Sequence, residues 1–273
     1  MNAMEEKPAM MNALPAARSL HCAAIMFACL TTGHSATLTG SITSYMNQSD
    51  ETNVDLTTIG NLDWAVWGEG DSTGLSPTNS KAGGSLISDL TDINPNGIVL
   101  RGLGQFGDFG QTSYQWSDGT PTVAADSVNA SIQHMTNYGD NPLGAGFGVH
   151  VSGSTSGTRT VDVWFGTHRG TTEITATIPG AAPVSFSIIA NEFDNDNFNT
   201  FGHATFTFQC DSPTDSLYIT TVMTASSVDS DFSNAYLSAL TVSGQAIPEP
   251  STFALGGLGL LGLLRRRRPS ACS

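Results

Sequence analysis

Short runs of alternating apolar and polar residues, broken by Gly, Asn, Asp and Pro, fill the middle of this chain. Thr160–Phe165 sets Val161, Val163 and Phe165 on one side and Asp162 and Trp164 on the other, because successive side chains of a strand point to opposite faces. Glu173–Ile178 repeats the device, with Ile174, Ala176 and Ile178 inward. Val184–Ile188, Ala204–Phe208, Leu217–Met223 and Tyr236–Val242 follow the same period. No long segment has the 3.6-residue period of an amphipathic helix.

The pattern is weaker nearer the front. Thr37–Ile42, Asp63–Trp67, Gly97–Leu100, Thr112–Trp116, Ser127–Ile132 and Gly146–Val151 are the predicted strands there. About a dozen short strands separated by turn residues predict an all-β fold, a single β-sandwich of jelly-roll type over residues 37–246. There is no internal repeat and no linker long enough to divide this body. Some 200 residues suffice to bury one large core.

Both ends differ from the body. Arg18 precedes the apolar run Leu20–Leu30 and the small residues Gly33–Ala36, the order of a secretory signal peptide over residues 1–36. Glu5 and Glu6 are unusual before such a run, and a true start at Met10 or Met11 gives a leader of ordinary length. At the other end Pro248, Glu249 and Pro250 lead into the uncharged segment Phe253–Leu264, followed by Arg265, Arg266, Arg267 and Arg268. The prolines fix φ and withhold backbone donors, keeping that stretch extended and unpaired. The arginines hold their end on the cytoplasmic side. Twelve helical residues rise about 18 Å against about 30 Å of hydrocarbon. The segment suits a transient stop during export better than a permanent anchor.

This three-part tail, residues 247–268 with a short cytoplasmic remainder at 269–273, closely resembles the PEP-CTERM protein-sorting signal of exopolysaccharide-producing Gram-negative bacteria. The resemblance implies export, transient insertion in the inner membrane, and an exosortase that cleaves near Pro-Glu-Pro. The protein would then reside in the envelope, at the cell surface or in the extracellular matrix. The same tail is also labelled an ice-binding protein C-terminal domain, a name that says nothing about ice binding.

Removing both ends sharpens the charge. Residues 37–247 keep Lys81, Arg101, Arg159 and Arg169 against 21 acidic groups, so 4 minus 21 gives −17 where the whole chain has −14. Such a body excludes nucleic acid and anionic membrane surfaces as partners. Cys22, Cys29 and Cys272 lie in the leader and tail, leaving Cys210 alone and no disulfide framework. Its parity with Phe206 and Phe208 predicts a buried, inert thiol.

Candidate chemistry is sparse. Gly102–Gly107 spells G-x-G-x-x-G and Asp108–Gly110 spells D-F-G, but turn and strand follow where a phosphate-binding helix would be needed. Asp194, Asp196 and Asn199 place three oxygens in one loop, which makes Ca²⁺ the one ion with a ligand pattern. An exposed polar connection explains the same loop, and the EF-hand pattern fails at Asn199 and Thr205. His134, His150, His168 and His203 lack the spacing of a local zinc site. No catalytic constellation emerges, so the expectation is a protein that is not an enzyme.

The tryptophans carry the specific hypothesis. Trp64, Trp67, Trp116 and Trp164 stand among Asp63, Asp118 and Asp162, and a sugar stacks its apolar face on an aromatic ring. Asp162 and Trp164 share the face opposite the core valines, which predicts an outer surface or a second sheet interface. Asn61–Gly68, Tyr114–Pro121, Gly144–Phe147 and Arg159–Gly166 resemble marks of secreted bacterial galactose-binding-like sandwiches. The resulting expectation is a structural or carbohydrate-binding surface protein whose partners are the export machinery, an exosortase and an exopolysaccharide or other glycan. The alternative is a secreted glycan-active enzyme of hydrolase or lyase type, whose carboxylates need not be neighbours in sequence.

Overall fold

Alternation becomes two antiparallel sheets packed face to face. The structure, a computed structural model, describes residues 35–45, 53–102, 112–135, 140–190, 199–226 and 233–244. The early elements are β1 (Thr37–Tyr45), β2 (Val54–Asp55), the one-turn helix α1 (Leu56–Ile59), β3 (Asp63–Val66), β4 (Asn79–Lys81), β5 (Thr91–Ile93), β6 (Val99–Gly102), β7 (Ser113–Trp116), β8 (Gly119–Thr120), β9 (Ala125–Asn129) and β10 (Ile132–Met135). The longer ones follow: β11 (Gly146–Ser152), β12 (Arg159–His168), β13 (Gly170–Thr177), β14 (Val184–Ile189), β15 (Asn199–Gln209), β16 (Ser216–Ser226) and β17 (Asn234–Gly244).

The large sheet runs β1-β15-β12-β17-β3-β4-β8, with β10 also pairing with β17 and β6 with β10. The small sheet runs β14-β13-β16-β11-β5. Strands β11 to β17 pass back and forth between the sheets, so β15-β12-β17-β3 face β14-β13-β16-β11 in jelly-roll order. The core between them takes Val161, Val163 and Phe165 from β12, Phe206 and Phe208 from β15, Ile174 and Ala176 from β13, and Val149 and Val151 from β11. Each side chain the alternation turned inward in β12 and β13 is buried. Cys210 is buried in the same core with its thiol free. Burial, then the negative charge of Asp215, raises its pKa.

A third layer supplies what the pattern did not specify. Strands β2, β7 and β9 form a small sheet of their own. Together with Leu56 of α1 it covers part of the outer face of the large sheet, burying Val54, Tyr114 and Trp116 against Trp64, Val66, Trp164 and Ala239. One predicted strand divides in consequence: Ser127–Ile132 straddles β9 of the third layer and β10 of the large sheet. A single period-2 run cannot reveal that a chain leaves one sheet for another at Ala130–Ser131.

Candidate functional site

The four tryptophans belong to the interior. Trp64, Trp67 and Trp164 are at most 1% exposed and Trp116 is 3% exposed. Trp64 and Trp116 pack at 5.3 Å under the third layer, and Tyr114 meets Trp164 edge-on at 6.0 Å. Trp67 lies in the main core and donates its indole N–H to Leu75 O at 3.1 Å. Stacking a sugar needs an open ring face, and none of these rings has one. Trp67 points into the main core, and for the other three the physical reason is the third layer: on a sheet buried from both sides, outward positions are also core positions.

The neighbouring carboxylates serve that interior. Asp63 is buried and accepts from Trp64 N at 2.9 Å, Leu86 N at 2.7 Å and Ile87 N at 3.1 Å. Asp118 accepts from Thr57 Oγ1 at 2.7 Å and Trp64 Nε1 at 2.9 Å, and pairs with Lys81. Burial pushes the Asp118 carboxyl up, but hydrogen bonds from Lys81, Thr57 and Trp64 outweigh it and hold the group below the usual carboxylate value. The aspartates therefore fasten loops onto β3.

Asp162 lies at the boundary between the covered and the open part of the same face. Its Oδ1 accepts from Thr205 Oγ1 at 2.7 Å and is hydrogen-bonded to His203 Nε2 at 3.0 Å. The His203 ring stacks over Trp164 at 4.5 Å and 22°. The structure thus brings the predicted pair Asp162 and Trp164 together with His203 and Thr205, which stand 41 and 43 residues from Asp162 in sequence. His203, 24% exposed, is the aromatic ring at the surface here, and Trp164 is its support.

Beyond His203 the large sheet is uncovered by other described residues. Register places Thr43, His203 and Trp164 in one row, Ser41, Thr205 and Asp162 in the next, and Thr39, Thr207 and Thr160 in a third. Thr39, Ser41 and Thr43 are exposed, and Thr160, Thr205 and Thr207 are half-buried. Hydroxyls therefore stand about 4.8 Å apart across strands and about 6.8 Å apart along them. The stacked rings of Tyr45 and Phe201, with Tyr236, close one end of this strip. Its signal was present in the sequence as Thr37-x-Thr39-x-Ser41-x-Thr43 and His203-x-Thr205-x-Thr207-x-Gln209. The apolar half of each alternation marks the core and is silent about the strip.

A second histidine–carboxylate pair joins the two sheets. His134 of β10 meets Asp92 Oδ1 of β5 at 2.6 Å and packs on Phe147 of β11 at 4.6 Å. Burial holds its imidazole below the ordinary histidine value, opposed by the bond to Asp92.

The predicted calcium ligands Asp194 and Asp196 lie outside the described residues. Asn199 opens β15, and its Oδ1 is hydrogen-bonded to His168 Nδ1 at 2.8 Å. Among the described residues no cluster of three His, Cys, Asp or Glu side chains stands ready for a metal ion. Pro248, Glu249, Pro250, the Phe253–Leu264 segment and Arg265–Arg268 also lie outside them. Among the described residues no helix is long and apolar enough to cross a membrane.

Comparison with known proteins addresses the tail directly. Residues 246–268 match the PEP-CTERM protein-sorting motif. The chain is an exported protein with a signal for sorting to the cell surface or envelope. No curated protein matches it. A solved structure of TmCBM61 in complex with β-1,4-galactotriose superposes with a TM-score of 0.36 at 6% identity, over 58% of this chain and 88% of that one.

Proposed function

We propose that the sandwich is a non-catalytic glycan-binding protein of the cell surface or extracellular matrix, delivered by the PEP-CTERM tail. An exosortase cleaves near Pro248–Pro250, which removes the Arg265–Arg268 run and leaves the acidic body as the working protein. The observation that carries the binding reading is the open strip of Thr39, Ser41, Thr43, Thr205 and Thr207 beside His203 and Asp162. Hydroxyls donate and accept, Asp162 accepts, and the His203 ring offers a flat surface, the groups that meet sugar hydroxyls and sugar C–H faces. None of the outward positions of β1, β15 and β12 in this strip is Lys or Arg, so a neutral polysaccharide suits it better than an anionic nucleic acid.

Affinity electrophoresis through gels containing the purified exopolysaccharide, or galactan, glucan or mannan, tests the reading. The mature protein should be retarded in at least one gel. Thr43→Lys and Thr205→Lys, which put charge and bulk on the strip, should weaken retardation at least about tenfold. Unchanged mobility of both variants, or release of reducing ends that disappears when one carboxylate is neutralised, overturns it. Mass spectrometry of the exported protein should find no peptide beyond about Pro250; recovery of the Arg265–Arg268 run overturns the cleavage.

A further inference from the structure

The opposite side of the molecule carries a second, differently built surface. Among the described residues at outward positions of the five-stranded sheet, Tyr218 and His150 are the only aromatic side chains and Glu173 the only charged one. Tyr218 and His150 are register partners on β16 and β11, and their rings stack at 4.5 Å and 26°. His150 is fixed by a bond between Nδ1 and Ser216 Oγ at 3.0 Å.

Gly148 determines how this pair lies. A Cβ at that position would stand 2.3 Å from the Tyr218 hydroxyl and 2.8 Å from Cζ. The phenol therefore reclines across bare backbone, where any other residue would force it upright. Thr91 and Thr220 flank Gly148 on the neighbouring strands, and Thr177 is the register partner of Tyr218 on β13. Tyr218 is half-buried and His150 exposed. The result is a low aromatic patch ringed by hydroxyls on a nearly uncharged sheet.

We propose that Tyr218 and His150 form a second glycan contact, and that one molecule thereby holds two polysaccharide chains. The inference rests on the glycan reading of the β1/β15/β12 strip. The strip faces outward from the large sheet and the Tyr218 patch outward from the small one. Packed sheets lie about 10 Å apart, so the two sites look in opposite directions and one short ligand cannot occupy both. A polysaccharide coat offers many chains, and a protein with two opposed sites cross-links them and gains avidity of about 10²-fold or more over one-site capture.

The test uses the mature exported protein and beads coated with whichever polysaccharide retards it. Wild type should clump the beads. Tyr218→Ala and His150→Ala should bind beads more weakly, as one-site capture, and fail to clump them. Tyr218→Phe, which keeps the ring, should clump them. Gly148→Ala should reduce clumping by lifting the phenol from the sheet. Thermal melts confirm folding, and His150, being exposed, gives a variant that leaves the core intact. Clumping by Tyr218→Ala and His150→Ala at wild-type level overturns the second site. If Thr43→Lys keeps full binding while Tyr218→Ala loses all of it, the patch stands alone, and both the strip and the cross-linking are overturned. Absence of binding to every polysaccharide overturns both readings.

Discussion

Replacing Asp63 by asparagine keeps the side-chain size and changes one oxygen into a donor. The carboxylate accepts three backbone N–H groups, from Trp64, Leu86 and Ile87, and is 3% exposed. Asparagine can serve the Leu86 and Ile87 amides with its oxygen, and it then turns an NH₂ toward Trp64 N–H. A water molecule has little room to intervene, because a Cβ on Gly84 would stand 2.0 Å from Asp63 Oδ1. One buried donor left without a partner costs about 1–3 kcal/mol, and the remaining bonds lose their charge assistance, so the total loss is about 2–4 kcal/mol. For a domain of this size that lowers Tm by roughly 5–15 °C. Asp63→Ala strands all three donors and should fall further. Differential scanning calorimetry reads the shift, and polysaccharide retardation below both melting points should match wild type. A Tm for Asp63→Asn within about 2 °C of wild type would refute the role of Asp63 in fastening the Leu86–Ile87 loop onto β3.

Three further outcomes follow from named groups. Burial lowers the folded pKa of His134 and His168 below the ordinary histidine value of about 6.5, so the unfolded chain takes up protons first as pH falls. The stability they contribute is complete above about 6.5 and declines as pH drops through the lowered folded values; unfolding midpoints from pH 8 to 5 should show the decline, and His134→Gln should flatten it. Cys210, buried and with its pKa raised, should resist iodoacetamide in the native protein and react fully in guanidinium, whereas rapid native labelling would contradict its place in the core. Asn199 already gives its oxygen to His168, so millimolar Ca²⁺ should leave Tm unchanged; a rise abolished by Asp194→Asn with Asp196→Asn would establish a calcium site there.

Much of the sandwich was legible because alternation is a direct consequence of strand geometry. Val161, Val163, Phe165, Ile174 and Ala176 had no other way to lie; β1, β11, β12 and β14 to β17 extend their predicted segments, whereas β3 and β7 are one residue shorter than predicted and β6 is shifted by two. The four shortest strands escaped, since β2, β4, β5 and β8 are two or three residues long and carry no period. The motifs around Trp64 and Trp116 were visible as unusual, but their purpose depends on β2, α1 and β7 meeting over β3 and β17. No local pattern encodes that meeting.

The two halves of one sheet face show what alternation can and cannot tell. Trp164 and Thr205 both point outward from adjacent strands of the large sheet, one row apart. Trp164 is 1% exposed under His203 and Tyr114, while Thr205 is half-buried and bonded to Asp162. Parity fixes the face and is silent about what covers it. Composition along the alternation resolves this. Outward positions of β17 and β3 under the third layer are Thr241, Ala239, Trp64 and Val66, mostly apolar. From Thr37 to Thr43 the outward positions of β1 are Thr37, Thr39, Ser41 and Thr43, hydroxyl at every step until Tyr45, which is buried against Phe201. An apolar residue at an outward position marks a second burial, and an unbroken hydroxyl series marks a surface kept open to solvent. By that criterion Trp64 and Trp164 indicated a hidden layer, and the threonines, which looked like filler, indicated an open face.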